Sequence, residues 1–321
     1  MSAITKITIG IGLVFIIGII IVLYQFSAPK IGAKEETLVV SLGTTEKELI
    51  HKLKEEGFIR NERAFEFVLT IKGWRGKIRP GGYLVSKGLN AWQLADILVN
   101  HPYQKWVIIP EGLRKEEIAD IVQNKLAWSD DEKKEFLENA REGYLFPDTY
   151  LFNLDFSGKE VAQRMTNNFN EKVAPLFIKA KENNIRNDTL IVLASLLQRE
   201  AASEKEMPLI AGIIWNRWLK NMRLEIDATV QYALGREGNW WPKISSKDYR
   251  VNSPYNTYLH KGRPPTPICN PGLAAIEAVI YPKETEYFYY LHDSKGQIHL
   301  AKTYKEHLEN INKYLKSSLK E

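Results

Sequence analysis

The N-terminal stretch from Ile7 to Leu23 constrains the fold of this chain more than any other feature, because it carries no charge and is almost wholly apolar. A helix needs about 20 residues to cross a bilayer, and Tyr24 and Phe26 add residues typical of the membrane interface. A cleaved signal peptide has a shorter apolar region and small residues at its cleavage site, which Ser27-Ala28 matches poorly. We therefore predict an uncleaved transmembrane anchor over residues 7–26.

The charges beside this stretch give a mixed signal on orientation. Lys6 precedes it and favours a cytoplasmic N-terminus by the positive-inside rule, whereas Lys30 and Lys34 follow it and oppose that orientation. We predict that residues 1–6 are cytoplasmic and that the bulk of the chain is extracytoplasmic, held to the cell (inner) membrane by a single pass. Residues 27–36 are predicted to form a polar tether.

The composition favours a soluble body of more than one domain and no metal or nucleic-acid function. Of the 321 residues 44% are hydrophobic, and 44 basic and 39 acidic residues are interspersed to a net charge of +5, without a basic block. Cys269 is the single cysteine, so no disulfide can form within the chain, and His292, His299 and His307 are spaced too widely for the usual zinc pairs. We predict no metal, no cofactor and no nucleic-acid partner.

After the tether, a pattern of an extended segment, a glycine and an amphipathic helix occurs three times. In each copy an apolar residue follows the glycine by six positions, at Leu49, Leu94 and Ile118. An extra helix, about residues 62–72, lies between the first two copies. We predict a small strand–helix module over residues 37–104, for which a binding role and a purely structural role are equally allowed.

Residues 105–321 are predicted to form a mixed α+β domain, so that the fold class of the whole chain is α+β. Its most distinctive segment is Asp188–Ala202, a helix that is apolar nearly all round and therefore buried, with Asp188 or Thr189 as its predicted cap. Glu200 extends an apolar stripe on this helix, and burial raises the pKa of a carboxyl group toward the range of a general acid. The alternative is that the helix ends near Glu200 and the carboxylate is solvated or paired with Arg199.

The proline-rich segment of residues 253–272 is predicted to be a rigid loop, because so many prolines exclude regular structure. A stiff loop of this length commonly forms the wall of a cleft, and this one offers the polar groups of Tyr255 and Asn256. We expect loop side chains that bind substrate to contribute little to stability. Residues 287–300 are predicted to form a β-hairpin.

Several motifs resemble those of the membrane-anchored endolytic murein transglycosylases, the YceG-like or MltG family. They are EGYLFPDTY at residues 142–150, ASLLQREA at 194–201, Asn216-Arg217, MRLEIDATVQYAL at 222–234, SPYNTY at 253–258, Asn270-Pro271-Gly272 and HLAKTYKEH at 299–307. The sequence departs from the common pattern at Gln198, at residues 225–228, and at Arg263 and Thr266.

The resemblance implies a fold and a site. Residues 37–104 correspond to a LysM-like module and residues 105–321 to a YceG-like catalytic domain. Glu200 corresponds to the catalytic glutamate of an enzyme that cleaves the MurNAc-β-1,4-GlcNAc bond of nascent peptidoglycan, leaves a 1,6-anhydro-MurNAc end and terminates glycan strands. Cell-wall synthases are the protein partners that such a role implies. Candidate substrate-binding residues are Asn216, Asp227, Thr229, Tyr255, Asn256 and Asn270.

Two rival functions stay open. A hydrolytic muramidase would use Asp227 as a second carboxylate, although a structural role in bracing its loop is the simpler interpretation of that residue. A non-catalytic, membrane-tethered glycan-binding or division scaffold would use the strand–helix module as its working part.

Overall fold

The structure is a computed structural model that describes residues 3–316. The chain is a mixed α+β protein, as predicted, and divides into two compact units. The first unit runs to Val107 and also contains Tyr150–Asp155, whereas the second unit contains Ile108–Thr149 and the chain from Phe156 onward. The return of residues 150–155 to the first unit has no counterpart in the sequence pattern.

The first unit contains the long apolar helix and a four-stranded sheet in the order β1-β2-β3-β4. Residues Ile7–Phe26 of α1 form a 20-residue stretch long and apolar enough to cross a membrane. The elements are α1 (Ala3–Phe26), β1 (Glu35–Val40), α2 (Glu46–Glu55), α3 (Glu62–Ile71), β2 (Gly81–Ser86), α4 (Ala91–Asn100), β3 (Gln104–Ile108) and β4 (Thr149–Asn153).

Local sequence signals account for these elements. Thr45 and Asn90 each close a capping box at the start of α2 and α4, which satisfies backbone N–H groups that the helix leaves unpaired. Strands β1 and β2 pair antiparallel in a register that runs from Glu35 opposite Ser86 to Val40 opposite Gly81. The extra helix predicted near residues 62–72 is α3, and its buried face packs into the core of the unit.

The prediction of a polar tether over residues 27–36 is wrong, because β1 already begins at Glu35 and hydrogen bonds fix most of the preceding residues to the rest of the first unit. Arg60 donates hydrogen bonds to the hydroxyl oxygen of Ser27 and to the carbonyl oxygens of Ala28 and Pro29. The Ser86 hydroxyl donates to the carbonyl oxygen of Ala33 at 2.7 Å, and β1 begins two residues later. The segment is therefore a fixed connection rather than a loose linker.

The second unit is a helical body with one β-hairpin. Its elements are α5 (Lys115–Leu126), α6 (Asp130–Asn139), α7 (Gly158–Glu182), α8 (Asn187–Glu200), α9 (Met207–Leu219), α10 (Asp227–Leu234), α11 (Leu273–Ile280), β5 (Tyr289–His292), β6 (Ile298–Ala301), α12 (Tyr304–Asn310) and the π-helical turn Ile311–Lys316. No regular element occurs between residues 251 and 272, as the prolines predict.

Helix α8 is the centre of this unit. Every residue from Thr189 to Leu197 is buried, and the helix packs against α7, α9, α10 and α11. The prediction of a buried helix is confirmed, but its predicted cap is wrong. The N-cap residue is Arg186, and the Asp188 carboxylate instead accepts the Thr189 N–H and pairs with Arg263 at 2.7 Å.

Candidate active site

A cleft of about 670 Å³ opens in the second unit at the C-terminal end of α8. Its lining is rich in tyrosine and in charged side chains. The lining residues include Glu200, Arg217, Glu225, Asp227, Tyr249, Tyr258, Tyr289, Tyr290, His292, Tyr304 and His307.

Glu200 is the last residue of α8, and its carboxyl group faces the cleft. The Tyr290 hydroxyl of β5 donates a hydrogen bond of 2.6 Å to its Oε2 atom. Arg199 does not pair with it, because the guanidinium lies 3.9 Å from the ring centre of Trp241. The helix does end at Glu200, but the carboxyl group is partly buried and bound by a tyrosine rather than free in water.

The surroundings of Glu200 raise the pKa of its carboxyl group above the ordinary value. Removal from water is the largest cause, and the nearby Asp227 carboxylate acts in the same direction. Hydrogen bonds from the Tyr290 hydroxyl and the Ala228 N–H, with the charge of His292, act in the opposite direction. Burial also raises the pKa of Tyr290 itself, so this hydroxyl stays protonated and acts as a donor.

Asp227 lines the same cleft as the first residue of α10. Its Oδ1 atom accepts a 2.6 Å hydrogen bond from the Tyr258 hydroxyl, and the Tyr258 ring packs 4.4 Å from that of Tyr249. Glu200 and Asp227 are therefore both bound by tyrosine in this cleft, which Glu225 also lines. They differ in exposure, because Asp227 is exposed whereas Glu200 is partly buried.

Asn256 and Thr229 are fully buried outside the cleft lining and hold residues that form the cleft. The Asn256 amide donates to the carbonyl oxygens of Tyr249 (3.0 Å) and Val251 (2.9 Å), and its oxygen accepts the Tyr258 N–H. The Thr229 hydroxyl donates to the Ile226 carbonyl oxygen and lies 3.0 Å from the Thr257 hydroxyl. These contacts fix Tyr249, Tyr258 and the start of α10, and direct substrate contact by Asn256 or Thr229 stays a prediction.

Three further candidates lie outside the cleft lining. The Asn216 amide donates to the carbonyl oxygens of Thr285 and Tyr287, which ties the segment before β5 to α9. The Tyr255 hydroxyl bonds to Thr266 at 2.6 Å. Asn270 is fully buried. Direct substrate contact by any of these three residues stays a prediction.

Asn270 belongs to a second buried carboxyl site. Its amide donates to Glu142 Oε1 at 2.8 Å and to the Leu113 carbonyl oxygen, and its own oxygen accepts the Leu145 N–H. Burial, with the charge of Glu116, raises the pKa of Glu142 to about 8, against the opposing Lys115 N–H and Arg114 charge. This network joins the EGYLFPDTY turn to the end of the proline-rich loop.

Most of the cleft-lining residues were not predicted from the sequence. Tyr290 and His292 are two positions apart in β5, and this spacing places them on one face of a strand, which was the available signal. His292 pairs with Glu206 at 2.9 Å. Arg217 is buried, donates to Phe288 and Leu224 carbonyl oxygens, and links α9 to β5.

No group of three His, Cys, Asp or Glu side chains is placed to hold a metal ion within residues 3–316. A cleft of this kind, with one desolvated acid at a helix end and several tyrosine hydroxyls, is typical of an enzyme that works by proton transfer on a polar substrate. The chain belongs to the YceG-like family, whose profile matches residues 38–313.

Individual relatives agree with this assignment. The endolytic murein transglycosylase of Bacillus subtilis (strain 168) is 32% identical over 294 residues, which cover 83% of this chain and 81% of the relative. The protein of the same description from Streptococcus pneumoniae serotype 2 is 25% identical over 336 residues, and the match covers 90% of this chain but 59% of that protein. The crystal structure of a YceG-like protein from Listeria monocytogenes has a TM-score of 0.58 at 26% identity and covers 87% of this chain and 99% of that chain.

Proposed function

We propose that this chain is a membrane-anchored peptidoglycan lytic transglycosylase, a lyase in which Glu200 is the single catalytic acid and base. The observation that carries the proposal is the placement of Glu200, whose carboxyl group faces the cleft, has a raised pKa and is oriented by Tyr290. The description of the Bacillus subtilis and Streptococcus pneumoniae relatives as endolytic murein transglycosylases supports the substrate class and the reaction.

The reaction needs a proton donor first. Protonated Glu200 donates its proton to the glycosidic oxygen that leaves C1 of MurNAc, and the C1–O bond breaks with positive charge developing on the sugar ring. The nearby Asp227 carboxylate favours this positive charge. Its bond to Tyr258 holds it in the exposed part of the cleft.

The second half of the reaction needs no water. The C6 hydroxyl of the same MurNAc attacks C1 and gives its proton to the Glu200 carboxylate, which restores the acid and leaves a 1,6-anhydro end. The hydrogen bond from Tyr290 stabilises the carboxylate form that exists between the two proton transfers. Cleavage within nascent strands would terminate their elongation.

Helix α1 is the proposed anchor in the cell membrane. Its 20-residue apolar stretch matches the thickness of a bilayer core, and the substrate lies outside the cytoplasm. Residues 37–104 are proposed to form the LysM-like module, and cell-wall synthases stay the proposed partners.

A hydrolytic muramidase is the second candidate, because Asp227 places another carboxylate in the same cleft. The two reactions differ in their products, since hydrolysis leaves reducing ends and the lytic reaction leaves anhydro ends. Digestion of purified peptidoglycan and analysis of the new termini decides between them.

The assignment of Glu200 is tested with Glu200→Gln and Asp227→Asn at matched folded concentration. Glutamine keeps the size of the side chain but cannot donate and recover a proton, so anhydro-muropeptide yield is expected to fall by roughly 10²- to 10⁴-fold. Asp227→Asn is expected to retain measurable anhydro product. A Glu200→Gln protein that cleaves at nearly the wild-type rate would falsify the assignment.

A further inference from the structure

An exposed apolar face lies on α3 of the first unit. Arg63, Phe67 and Ile71 are spaced four residues apart and share one side of this helix, opposite the side that buries Phe65 and Leu69. Phe67 is 51% exposed and Ile71 is 60% exposed. Large apolar side chains grouped at a surface indicate an interaction site.

This face is continuous with the end of the apolar helix α1. The Phe26 ring, at the last residue of α1, lies 5.9 Å from the Phe67 ring and stacks 6.2 Å from Trp92. Ile31, which is 93% exposed, follows five residues after Phe26. The face on α3 thus meets the end of α1 at Phe67, and Ile31 follows α1 closely in the sequence.

Arg60 fixes this arrangement. Its guanidinium donates to the Tyr24 hydroxyl at 2.6 Å and lies 4.1 Å from the Tyr24 ring centre. It also donates to Ser27 and to the Ala28 and Pro29 carbonyl oxygens. Since the connection after α1 is bound on several atoms, the depth of α1 in a membrane also sets the depth of α3.

The charges around the face suit lipid phosphate groups. Lys72 lies 5.4 Å from the Trp74 ring, and neither it nor Arg63 has a carboxylate partner among the described side chains. The carboxylates of the same helix are engaged elsewhere, Glu62 by His51 at 2.9 Å and Glu66 by Arg75 at 4.0 Å. Basic residues beside exposed apolar ones are typical of helices that lie in a membrane interface.

We propose that Ile31, Arg63, Phe67 and Ile71 form a membrane-facing surface that lies in the headgroup region of the bilayer crossed by α1. The inference rests on the proposed anchor. Interfacial helices bury their apolar side by about 5–10 Å, and the Phe67 ring lies within that distance of the end of α1. The surface holds the first unit in a fixed orientation against the lipid instead of leaving it on a flexible stalk.

The test uses the full chain in vesicles of phosphatidylethanolamine and phosphatidylglycerol. Cys269 is buried, so Ile71→Cys can carry a polarity-sensitive fluorophore with the native thiol unlabelled. Arg63→Cys is a second label on the same face. Leu42→Cys is the matched control, because Leu42 is 49% exposed and lies beyond the far end of β1. That end of the strand is about 16 Å from Glu35, where the strand begins.

The expected result is blue-shifted emission and strong quenching by spin-labelled lipid at residues 63 and 71, with neither effect at residue 42. Flotation of the protein with the vesicles reports separately on α1. Protein that floats while the labels at residues 63 and 71 stay unquenched overturns the surface but leaves the anchor intact, and it indicates solvent or a protein partner on this face. Equal quenching at residue 42 also overturns the proposed face, and failure to float overturns the anchor and the surface together.

Discussion

Glu142 and Glu200 are both desolvated carboxyl groups, and they have different hydrogen-bond partners. Glu142 is bound by a backbone N–H and by the Asn270 amide in the interior, whereas Glu200 meets a tyrosine hydroxyl at a cleft. Both have raised pKa values, so burial alone does not distinguish a catalytic acid from a structural one. Glu200 lines the cleft, and this access is the reason why we propose Glu200 and not Glu142 as the catalytic acid.

Tyr290→Phe is expected to shift the pH profile of the reaction to higher pH. The hydrogen bond from Tyr290 lowers the pKa of Glu200, so its loss in the variant raises this pKa further above the ordinary value. Activity depends on the protonated acid and falls as the pH rises through this pKa. The rate should also fall, because the carboxylate intermediate loses its donor.

The measurement is the rate of anhydro-end formation across pH. Tyr289→Phe is the control, because the Tyr289 ring stacks on His307. The adjacent Tyr290, and not Tyr289, makes the hydrogen bond to Glu200. An alkaline limb that does not move in Tyr290→Phe would show that the hydroxyl does not set the pKa of the acid.

Glu142→Gln is expected to stabilise the protein at neutral and alkaline pH. The folded-state pKa of about 8 lies above the ordinary value of 4.5. The contribution of this group to stability is therefore fully present below pH 4.5 and is lost as the pH rises from there toward 8. At pH 7 this loss is on the order of 3 kcal/mol. Glutamine keeps an oxygen that accepts the Asn270 amide but cannot ionise.

Thermal unfolding from pH 5 to pH 9 checks this expectation. The difference in Tm between Glu142→Gln and wild type should grow with pH, while Glu138→Gln, at an exposed position of α6, should follow the wild type. Parallel curves for all three proteins would contradict a proton held by Glu142.

At the scale of elements, the loop of residues 251–272 is a packed part of the structure. The side chain of Asn256 is fully buried and makes hydrogen bonds with three backbone groups of this region. The Thr257 hydroxyl bonds to the Thr229 hydroxyl of α10. These contacts argue against the sequence-based expectation that the side chains of this loop add little to stability, and for Asn256 we expect the opposite. The prolines restrict the backbone, and buried hydrogen bonds select the one shape that places Tyr249 and Tyr258 at the cleft.

Asn256→Ala is accordingly expected to lower the free energy of unfolding by about 1–3 kcal/mol, because it leaves buried backbone groups unpaired. Turnover should fall with it, since Tyr258 loses its support. Tyr255→Phe removes one partly exposed hydroxyl bond to Thr266 and should change stability much less. Denaturant unfolding of both variants gives the comparison, and equal stability losses would contradict it.

At the scale of the whole molecule, the chain consists of two compact units, and the first of them contains the apolar helix α1. The anchor predicts that everything after about Ser27 is outside the cytoplasm. A reporter fused after Glu321 that works only in an extracytoplasmic compartment should be active, and one that works only in the cytoplasm should be silent. The opposite pattern would exclude access of the cleft to peptidoglycan.

Metal independence is a further expectation of a single-acid mechanism. Activity is expected to survive treatment with a chelator, because proton transfer by Glu200 uses no metal ion. Loss of activity on chelation with recovery on added zinc would require a different mechanism.

The sequence by itself determined the local elements and the family. Apolar periodicity and caps act between residues a few positions apart, so α3, α6, α8, α11 and the final hairpin could be predicted from neighbours alone. The uncharged run of α1 likewise specifies a helix suited to a bilayer without reference to the rest of the chain.

Only the tertiary structure decided which groups meet. Tyr290 reaches Glu200 across 90 positions of sequence, Arg199 turns to Trp241, and Arg60 reaches back to Tyr24, and no local pattern encodes such pairs. The same packing decided that Asn256 and Asn270 are buried while Asp227 lines the cleft. Residue type limits what a side chain can do, but burial and long-range partners, which depend on the whole packed chain, select what it does.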